Sequence, residues 1–128
     1  MKLAIKSNAS DRELVFSNLK GDYFQVEIRG FKVSANATVY AYTDANGLNN
    51  IFQELGKIDK PWSGEKKWES IEGDFILIIT CDKLGHVLLE VKLRVLQGHP
   101  EEASVTANIT TDFGSLSNIA RDAKDFFE

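Results

Sequence analysis

The amino-acid sequence contains an internal repeat with a period of 68 residues. Thr43 and Asp44 recur as Thr111 and Asp112. The further matches pair Leu48, Asn50 and Ile51 with Leu116, Asn118 and Ile119. A repeat of this length is one supersecondary unit that cannot bury its apolar face alone, so the chain is expected to form two similar halves around a shared interior.

Each copy of the repeat has the apolar pattern of an amphipathic helix. Apolar residues recur with the spacing i, i+3, i+4, i+7, which places them on one helix face. They are Leu48, Ile51, Phe52 and Leu55 in the first copy and Leu116, Ile119, Ala120 and Ala123 in the second. We predict helices from Asp44 to about Leu55 and from Ser115 to about Phe127, with Asp44 and Asp112 as capping residues and Gly56 ending the first helix in a left-handed conformation.

Alternation of apolar and polar residues predicts seven strands. They are Leu3–Ser7, Glu13–Ser17, Tyr23–Arg29, Phe31–Tyr42, Phe75–Cys81, Val87–Val95 and Ala103–Thr111. The predicted fold class is α+β: a mainly antiparallel sheet of about seven strands with two helices, built from two similar strand-strand-strand-helix halves. We expect a single domain over residues 1–128, with halves at about 1–57 and 71–128 and a connector at 58–70.

The segment Asp82–His86 predicts a tight hairpin turn. Glycine at the end of a three-residue loop fits a type I turn followed by a bulge, which pairs Cys81 with Val87 and His86 with Asp82. This register opposes a thiolate-imidazole pair between Cys81 and His86 and favours an inert thiol on the apolar face. A four-residue loop would instead pair Cys81 with His86, so the exclusion depends on the turn.

Composition and charge narrow the function classes. The net charge is −4, and residues 65–128 hold 12 acidic and 7 basic side chains against 7 and 8 in residues 1–64. This excess of negative charge disfavours nucleic acid and anionic membranes as partners and favours a basic protein. Alternatively, the charge only keeps the protein soluble. No signal peptide is recognised at the amino terminus, so we expect a cytoplasmic protein. The two histidines are isolated, and we predict no metal, no cofactor and no catalytic residues.

Two groups of residues are candidates for recognition of a partner. The segment 61–68 places two tryptophans, Trp62 and Trp68, between charges of both signs, as in many protein interfaces, and the neighbouring acids Glu69 and Glu72 extend it. Each tryptophan can alternatively cap the core. The second group is the pair of outward strips on two strands, with ordinary solvated sheet as the alternative. The strips are Thr38, Tyr40, Tyr42 and Thr106, Asn108, Thr110.

Several segments together resemble a small bacterial family of mostly uncharacterised proteins. They are Tyr23–Val26, Val39–Leu48, Pro61–Gly64, Trp68–Gly73 and Thr80–Val87. Some relatives of this size and layout resemble immunity proteins of the WapI type, which bind and silence a toxin domain. The resemblance implies no functional residues that can be transferred to this chain.

The expected function is therefore binding rather than catalysis. The first hypothesis is a bacterial immunity protein that occludes a cognate toxin with a basic surface, using the acids of residues 65–128 and the tryptophans. The alternative is a small-molecule-binding protein or small enzyme with a pocket between the sheet and the helices. Ala35, Ala37 and Ala41 could line such a pocket. The sequence does not specify the oligomeric state.

Overall fold

The computed structural model of the chain describes residues 1–42 and 44–128. This part of the chain forms β1 Lys2–Lys6, β2 Glu13–Lys20, β3 Tyr23–Gly30, β4 Val33–Tyr40, β5 Glu65–Glu69, β6 Phe75–Cys81, β7 His86–Val95 and β8 Ala103–Asp112. Helix α1 spans Ala45–Lys57, and helix α2 spans Leu116–Phe127 after a 3₁₀ turn at Phe113–Ser115. The repeat match at Thr43 lies outside the described residues.

The strands form two antiparallel sheets, one in each half. The first sheet has the order β1-β2-β3-β4 and the second β5-β6-β7-β8, so each half is a four-strand meander followed by a helix. The predicted α+β class with antiparallel pairing and two similar halves is confirmed. The strands of the described residues nevertheless number eight, in two sheets, because Glu65–Glu69 in the predicted connector pairs with β6.

A two-residue turn makes β4 shorter than the predicted strand Phe31–Tyr42. Phe31 and Lys32 both have positive φ, 47° and 71°, and join the paired residues Gly30 and Val33. Positive φ at both central positions is the geometry of a type I′ hairpin, which usually contains Asn or Gly. The turn was missed in the sequence because neither Phe31 nor Lys32 is typical of it.

The hairpin between β6 and β7 has the predicted register. Gly85 takes φ +85°, and its N–H donates to the carbonyl of Asp82 at 3.2 Å. The predicted pairing of Cys81 with Val87 is confirmed. The same register pairs Ile79 with Leu89, Leu77 with Val91 and Phe75 with Leu93, so the paired residues on this face are all apolar.

One core joins both sheets and both helices. The ring of Phe16 in β2 lies 5.8 Å from that of Phe75 in β6 and 6.2 Å from that of Phe52 in α1. The helices bury equivalent repeat positions. Leu48, Phe52 and Leu55 are buried in α1, as are Leu116, Ala120 and Ala123 in α2, while Ile51 and Ile119 are half-buried.

Gly56 has a different role from the predicted one. It lies inside α1, which continues to Lys57, and a Cβ at this position would be 2.5 Å from the Cβ of Ala120 in α2. The absence of a side chain therefore permits the close approach of the two helices. Helix α1 ends instead at Ile58, which takes an extended conformation.

The two predicted capping aspartates do not cap with their side chains. Asp44 lies before α1, but its carboxylate makes no capping hydrogen bond and accepts one from the indole N–H of Trp68. Asp112 precedes the 3₁₀ turn, and its carboxylate accepts from the hydroxyl of Ser115 at 3.0 Å. In both cases one carboxylate oxygen accepts from a side-chain donor, and no backbone N–H of the helix start is capped.

Arg12 fastens the first sheet to the second. Its guanidinium donates to the carbonyls of Gly30 (3.4 Å) and Phe31 (2.8 Å) at the β3–β4 turn and to that of Asn108 in β8 (3.0 Å). Arginine suits this position because its five N–H groups spread in a fixed plane. The loop between β1 and β2 is thereby held against the edge of β8.

Candidate protein-binding surface

All three tyrosines of the chain lie side by side at one end of the first sheet. Tyr23 in β3 pairs with Tyr40 in β4, and their ring centroids are 4.9 Å apart. The ring of Tyr42 meets that of Tyr40 edge-on at 6.1 Å. Tyr23 and Tyr42 are each about half exposed, at 51% and 52%. A cluster of this kind offers a large, rigid area with a hydrogen-bonding rim.

Negative charge surrounds these rings. The pKa of the Tyr40 hydroxyl is raised, first by burial and then by the charges of Asp22 and Glu72 and by the neighbouring tyrosines. Asp22 and Glu72 are both exposed. We call Tyr23, Tyr40, Tyr42, Asp22 and Glu72 together the tyrosine surface; its potential favours a cationic partner group.

A polar groove of about 300 Å³ adjoins the tyrosine surface. It is lined by Asn36, Ala37 and Thr38 of β4 and by Glu72, Asp74, Arg94, Val95, Leu96 and Gln97. Leu96 is 57% exposed, and Ile71 beside Glu72 is 65% exposed. The guanidinium of Arg94 is held by Glu102 at 2.7 Å. The exposed groove thus combines polar β4 side chains with two acids, one arginine, one glutamine and three apolar side chains.

The structure separates the two tryptophans predicted as partner contacts. Trp68 is 5% exposed and packs in the core against Phe24 and Phe75. This is the capping alternative, and it leaves little of the ring for a partner. Trp62 is half-buried against the core, and its indole N–H has no hydrogen-bond partner in residues 1–42 and 44–128.

Of the two predicted acids, only Glu72 belongs to the tyrosine surface. Glu69 is exposed on β5 and forms an ion pair with Lys67 at 3.7 Å. Four other acids of the second half, Asp82, Glu90, Glu102 and Asp122, are also paired with basic side chains. The acidic excess of residues 65–128 is therefore spread over the surface and partly neutralised.

The two predicted outward strips have different environments. Tyr40 and Tyr42 belong to the tyrosine surface, with Thr38 in the adjoining groove. The strip on β8 is contacted by the β1–β2 loop: the N–H of Asn8 donates to the carbonyl of Thr110 at 3.0 Å, and Arg12 binds Asn108. The chain itself therefore occupies part of this second strip.

Cys81 and His86 do not meet. The thiol of Cys81 donates to the carbonyl of Asp82 at 3.3 Å, while Nδ1 of His86 lies 2.7 Å from the carboxylate of Asp82. Burial raises the pKa of the Cys81 thiol, although a hydrogen bond from the Trp62 backbone lowers it. A raised pKa keeps the thiol protonated and weakly nucleophilic near neutral pH.

The space between the helices and the second sheet is almost filled. The cavity there is about 10 Å³, roughly the minimum for one water molecule. Its lining is apolar: Phe52, Leu55, Ile79, Leu89, Leu116 and Ile119. Ala41, a predicted pocket residue, is buried in the core, whereas Ala35 and Ala37 are half-buried.

Sequence reasoning missed Tyr23 and Asp22 as members of the surface. Asp22 lies in the turn before β3, and Tyr23 is the first residue of that strand. Tyr23 lies opposite Tyr40 only because the β3–β4 turn contains two residues. Had that turn been recognised, counting back from Gly30 and Val33 would have paired the two tyrosines.

Metal-binding groups and membrane-spanning helices are two further features that bear on function. In the part of the chain that the structure describes, no group of three or more His, Cys, Asp or Glu side chains is placed to hold a metal ion. Neither α1 nor α2 has the length and apolar character that crossing a membrane requires, among the described residues.

Comparison with known proteins identifies a family without an assigned activity. A family model described as "Family of unknown function (DUF6228)" matches residues 5–128. No curated protein and no solved structure matches the chain. The expected similarity to an uncharacterised family is thus confirmed, whereas these comparisons give no link to immunity proteins of the WapI type.

Proposed function

We propose that the chain, which belongs to the family of unknown function DUF6228, acts as a binding protein. It recognises another protein through the tyrosine surface. The observation that supports this is the packing of Tyr23, Tyr40 and Tyr42 against one another with two rings half exposed. Binding of this kind needs no cofactor and no catalytic residue.

Tyrosine is suited to such a role for physical reasons. Its ring buries a large apolar area with few rotatable bonds, and its hydroxyl can still form a hydrogen bond at the edge of the interface. Contact between Tyr40 and its two neighbours restricts the rings further before a partner arrives. Less side-chain entropy is then lost on binding.

The charge around the rings supports a basic partner. Asp22 and Glu72 flank Tyr40, and neither forms an ion pair within the described residues. A lysine or arginine of the partner could contact these carboxylates and stack on an exposed tyrosine ring. Complementary charge of this kind accelerates association and selects against acidic partners.

Within this class we propose that the partner is a toxin domain with a basic surface, which the protein silences by occlusion. Support for this narrower proposal comes from the sequence resemblance and from the negative potential at the tyrosine surface. An inhibitor that covers a basic active site benefits from complementary acidic charge and from rigid, aromatic contacts. The tyrosine surface has these three properties.

Co-expression tests this proposal. The protein encoded next to this gene should copurify with the chain as a stable complex, and cells that produce this neighbouring protein should survive only when they also produce the chain. The double variant Tyr23→Ser/Tyr42→Ser should weaken the complex by at least about 30-fold, since even one central aromatic contact contributes about 2 kcal/mol. Leu84→Ser is the matched control. Leu84 is 83% exposed in the β6–β7 turn, at the end of β7 opposite to the groove beside the tyrosine surface.

Two results would refute the proposal. One is the absence of a complex with the neighbouring protein, and the other is a complex that the tyrosine substitutions leave as tight as the control.

A further inference from the structure

The last strand of each half lies at a sheet edge and has equivalent outward groups. The repeat aligns Thr38 in β4 with Thr106 in β8. In both strands the odd-numbered residues form the hydrogen bonds to the neighbouring strand. Just after β4 the N–H of Ala41 donates to the carbonyl of Asp22, and just after β8 the N–H of Phe113 donates to the carbonyl of Gly85. Counting back from these residues in steps of two gives the odd-numbered positions of each strand. In antiparallel sheets the intervening residues direct their N–H and C=O groups away from the neighbouring strand. Even-numbered residues therefore form the open edge of both strands.

The chain covers this edge in its second half. The N–H of Asn8 donates to the carbonyl of Thr110 at 3.0 Å, and the Asn8 side-chain oxygen accepts from the Thr110 hydroxyl at 3.1 Å. Arg12 donates to the carbonyl of Asn108 at 3.0 Å. The edge of β8 is thus contacted by a non-helical loop segment that carries a guanidinium group.

The equivalent edge of β4, which lies near the end of β7, has no hydrogen-bonded cover of this kind. Among the described residues, no hydrogen-bond partner contacts the outward backbone groups of Ser34, Asn36, Thr38 and Tyr40. The strand Val33–Tyr40 contains no charged residue and no proline. The other two edges, by contrast, carry charges: lysines in β1, and both signs in β5. Exposed edges are usually protected in one of these ways, because an unprotected edge is a template for pairing.

The surroundings of β4 determine which segment would fit. The groove of about 300 Å³ lies beside Asn36 and Thr38, with Glu72 and Asp74 in its lining. Arg94, the basic residue in the lining of this groove, already forms an ion pair with Glu102. The tyrosine surface continues from the end of the strand. A bound segment would therefore meet acids and aromatic rings beside the backbone edge.

We propose that an extended, basic segment of the partner protein adds to β4 as a fifth strand of the first sheet. Main-chain hydrogen bonds to Asn36 and Thr38 would provide affinity, and lysine or arginine side chains next to Glu72 and Asp22 would provide selectivity. This inference rests on the proposed function, because it specifies how the tyrosine surface and its neighbouring edge take up a partner.

A peptide of eight residues that alternates lysine and valine, with blocked ends, is the direct probe. At ten times its dissociation constant it should slow amide hydrogen exchange at Asn36 and Thr38 about tenfold. A peptide with glutamate in place of lysine should leave these amides unchanged. Slowed exchange on another strand, or no slowing with the lysine peptide at millimolar concentration, would overturn the proposal.

Two proline variants separate edge pairing from folding. Thr38→Pro removes an outward N–H that no neighbouring strand uses, and proline is tolerated at such edge positions. Thr106→Pro makes the same change at the repeat-equivalent position of β8. Thr38→Pro should abolish peptide protection, while Thr106→Pro should retain it; equal protection in both would overturn the proposal. Thermal unfolding of both variants checks that the fold is intact.

The outcomes also separate this inference from the proposed function. If the neighbouring protein loses affinity with Tyr23→Ser/Tyr42→Ser but binds Thr38→Pro at full strength, the surface is correct and strand addition is wrong. If sedimentation shows that β4 pairs with a second copy of the chain, a dimer that Thr38→Pro dissolves, the edge is a self-association site and the inference is also wrong.

Discussion

The indole N–H of Trp68 donates to the carboxylate of Asp44 at 3.0 Å and thereby joins β5 to the start of α1. The two residues belong to different halves of the repeat. Trp68 is 5% exposed, so the bond directs a large ring into the core while its polar atom remains satisfied. The contact therefore connects the two halves where the chain passes from one to the other.

Replacement of either partner should destabilise the protein through this bond. Trp68→Phe and Asp44→Ala should each lower the free energy of unfolding by about 1–2 kcal/mol, and the double variant should show a coupling of about 1 kcal/mol. Urea denaturation measures these values. Asp59→Ala, an exposed acid after α1, is the control and should stay within about 0.5 kcal/mol of wild type. Strict additivity of the two substitutions would show that the bond contributes nothing.

Gly56→Ala should destabilise the protein although alanine is the better helix former. The added Cβ would lie 2.5 Å from that of Ala120, so the helices must separate, at a cost of about 1–3 kcal/mol. Asn50→Ala, at an exposed position of the same helix, should instead leave stability unchanged or raise it slightly. In thermal unfolding, the second substitution Ala120→Gly should recover part of the loss. A more stable Gly56→Ala protein would contradict the described helix contact.

Arg12→Ala should loosen the junction between the sheets. Three backbone carbonyls would lose a charged donor, and we expect a loss of about 2 kcal/mol in the free energy of unfolding. Arg12→Lys should recover only part of it, since an ammonium cannot reproduce the planar spread of guanidinium donors. Arg121→Ala, which removes an exposed ion pair with Asp122, is the control. Equal stability of Arg12→Ala and Arg121→Ala in urea would contradict this role.

Asp82 should give the protein a pH-dependent stability in acid. The pKa of its carboxyl is lowered from 3.8, first by the backbone N–H of His86 and also by its side chain and by the N–H of Leu84. A lowered pKa adds stability above 3.8 that is lost as the pH falls through the folded-state value. In Asp82→Asn, the difference between the urea midpoints at pH 7 and pH 3 should therefore be smaller. An unchanged difference would contradict this assignment.

The sequence predicted the parts of the fold that depend on local pattern. Apolar spacing located both helices, and the glycine of the 82–86 turn determined the register of β6 and β7. What failed depends on tertiary contacts. From the local sequence alone Gly56 is expected to end the helix, but in the structure its lack of a side chain allows Ala120 of α2 to pack closely against α1. Asp44 reads as a cap, but its oxygen is taken by a tryptophan 24 residues away.

The candidate surface was predictable only in part, for a similar reason. Tyr40 and Tyr42 were recognised from alternation along one strand. Tyr23 joins them across the β3–β4 hairpin, whose turn residues Phe31 and Lys32 carry no turn signature. The uncovered edge of β4 could not be recognised either, because it stands out only beside the covered edge of β8. A comparison of the two halves requires coordinates.

Hydrogen exchange of the complex with the protein encoded by the neighbouring gene tests the central claim most directly. Backbone amides of the free and bound chain would be compared over the whole sequence. The account predicts that protection concentrates at Asp22–Tyr23, at 36–42 and around Glu72. Protection confined to α2 or to the 82–86 turn, with residues 22–23 and 36–42 unchanged, would contradict it.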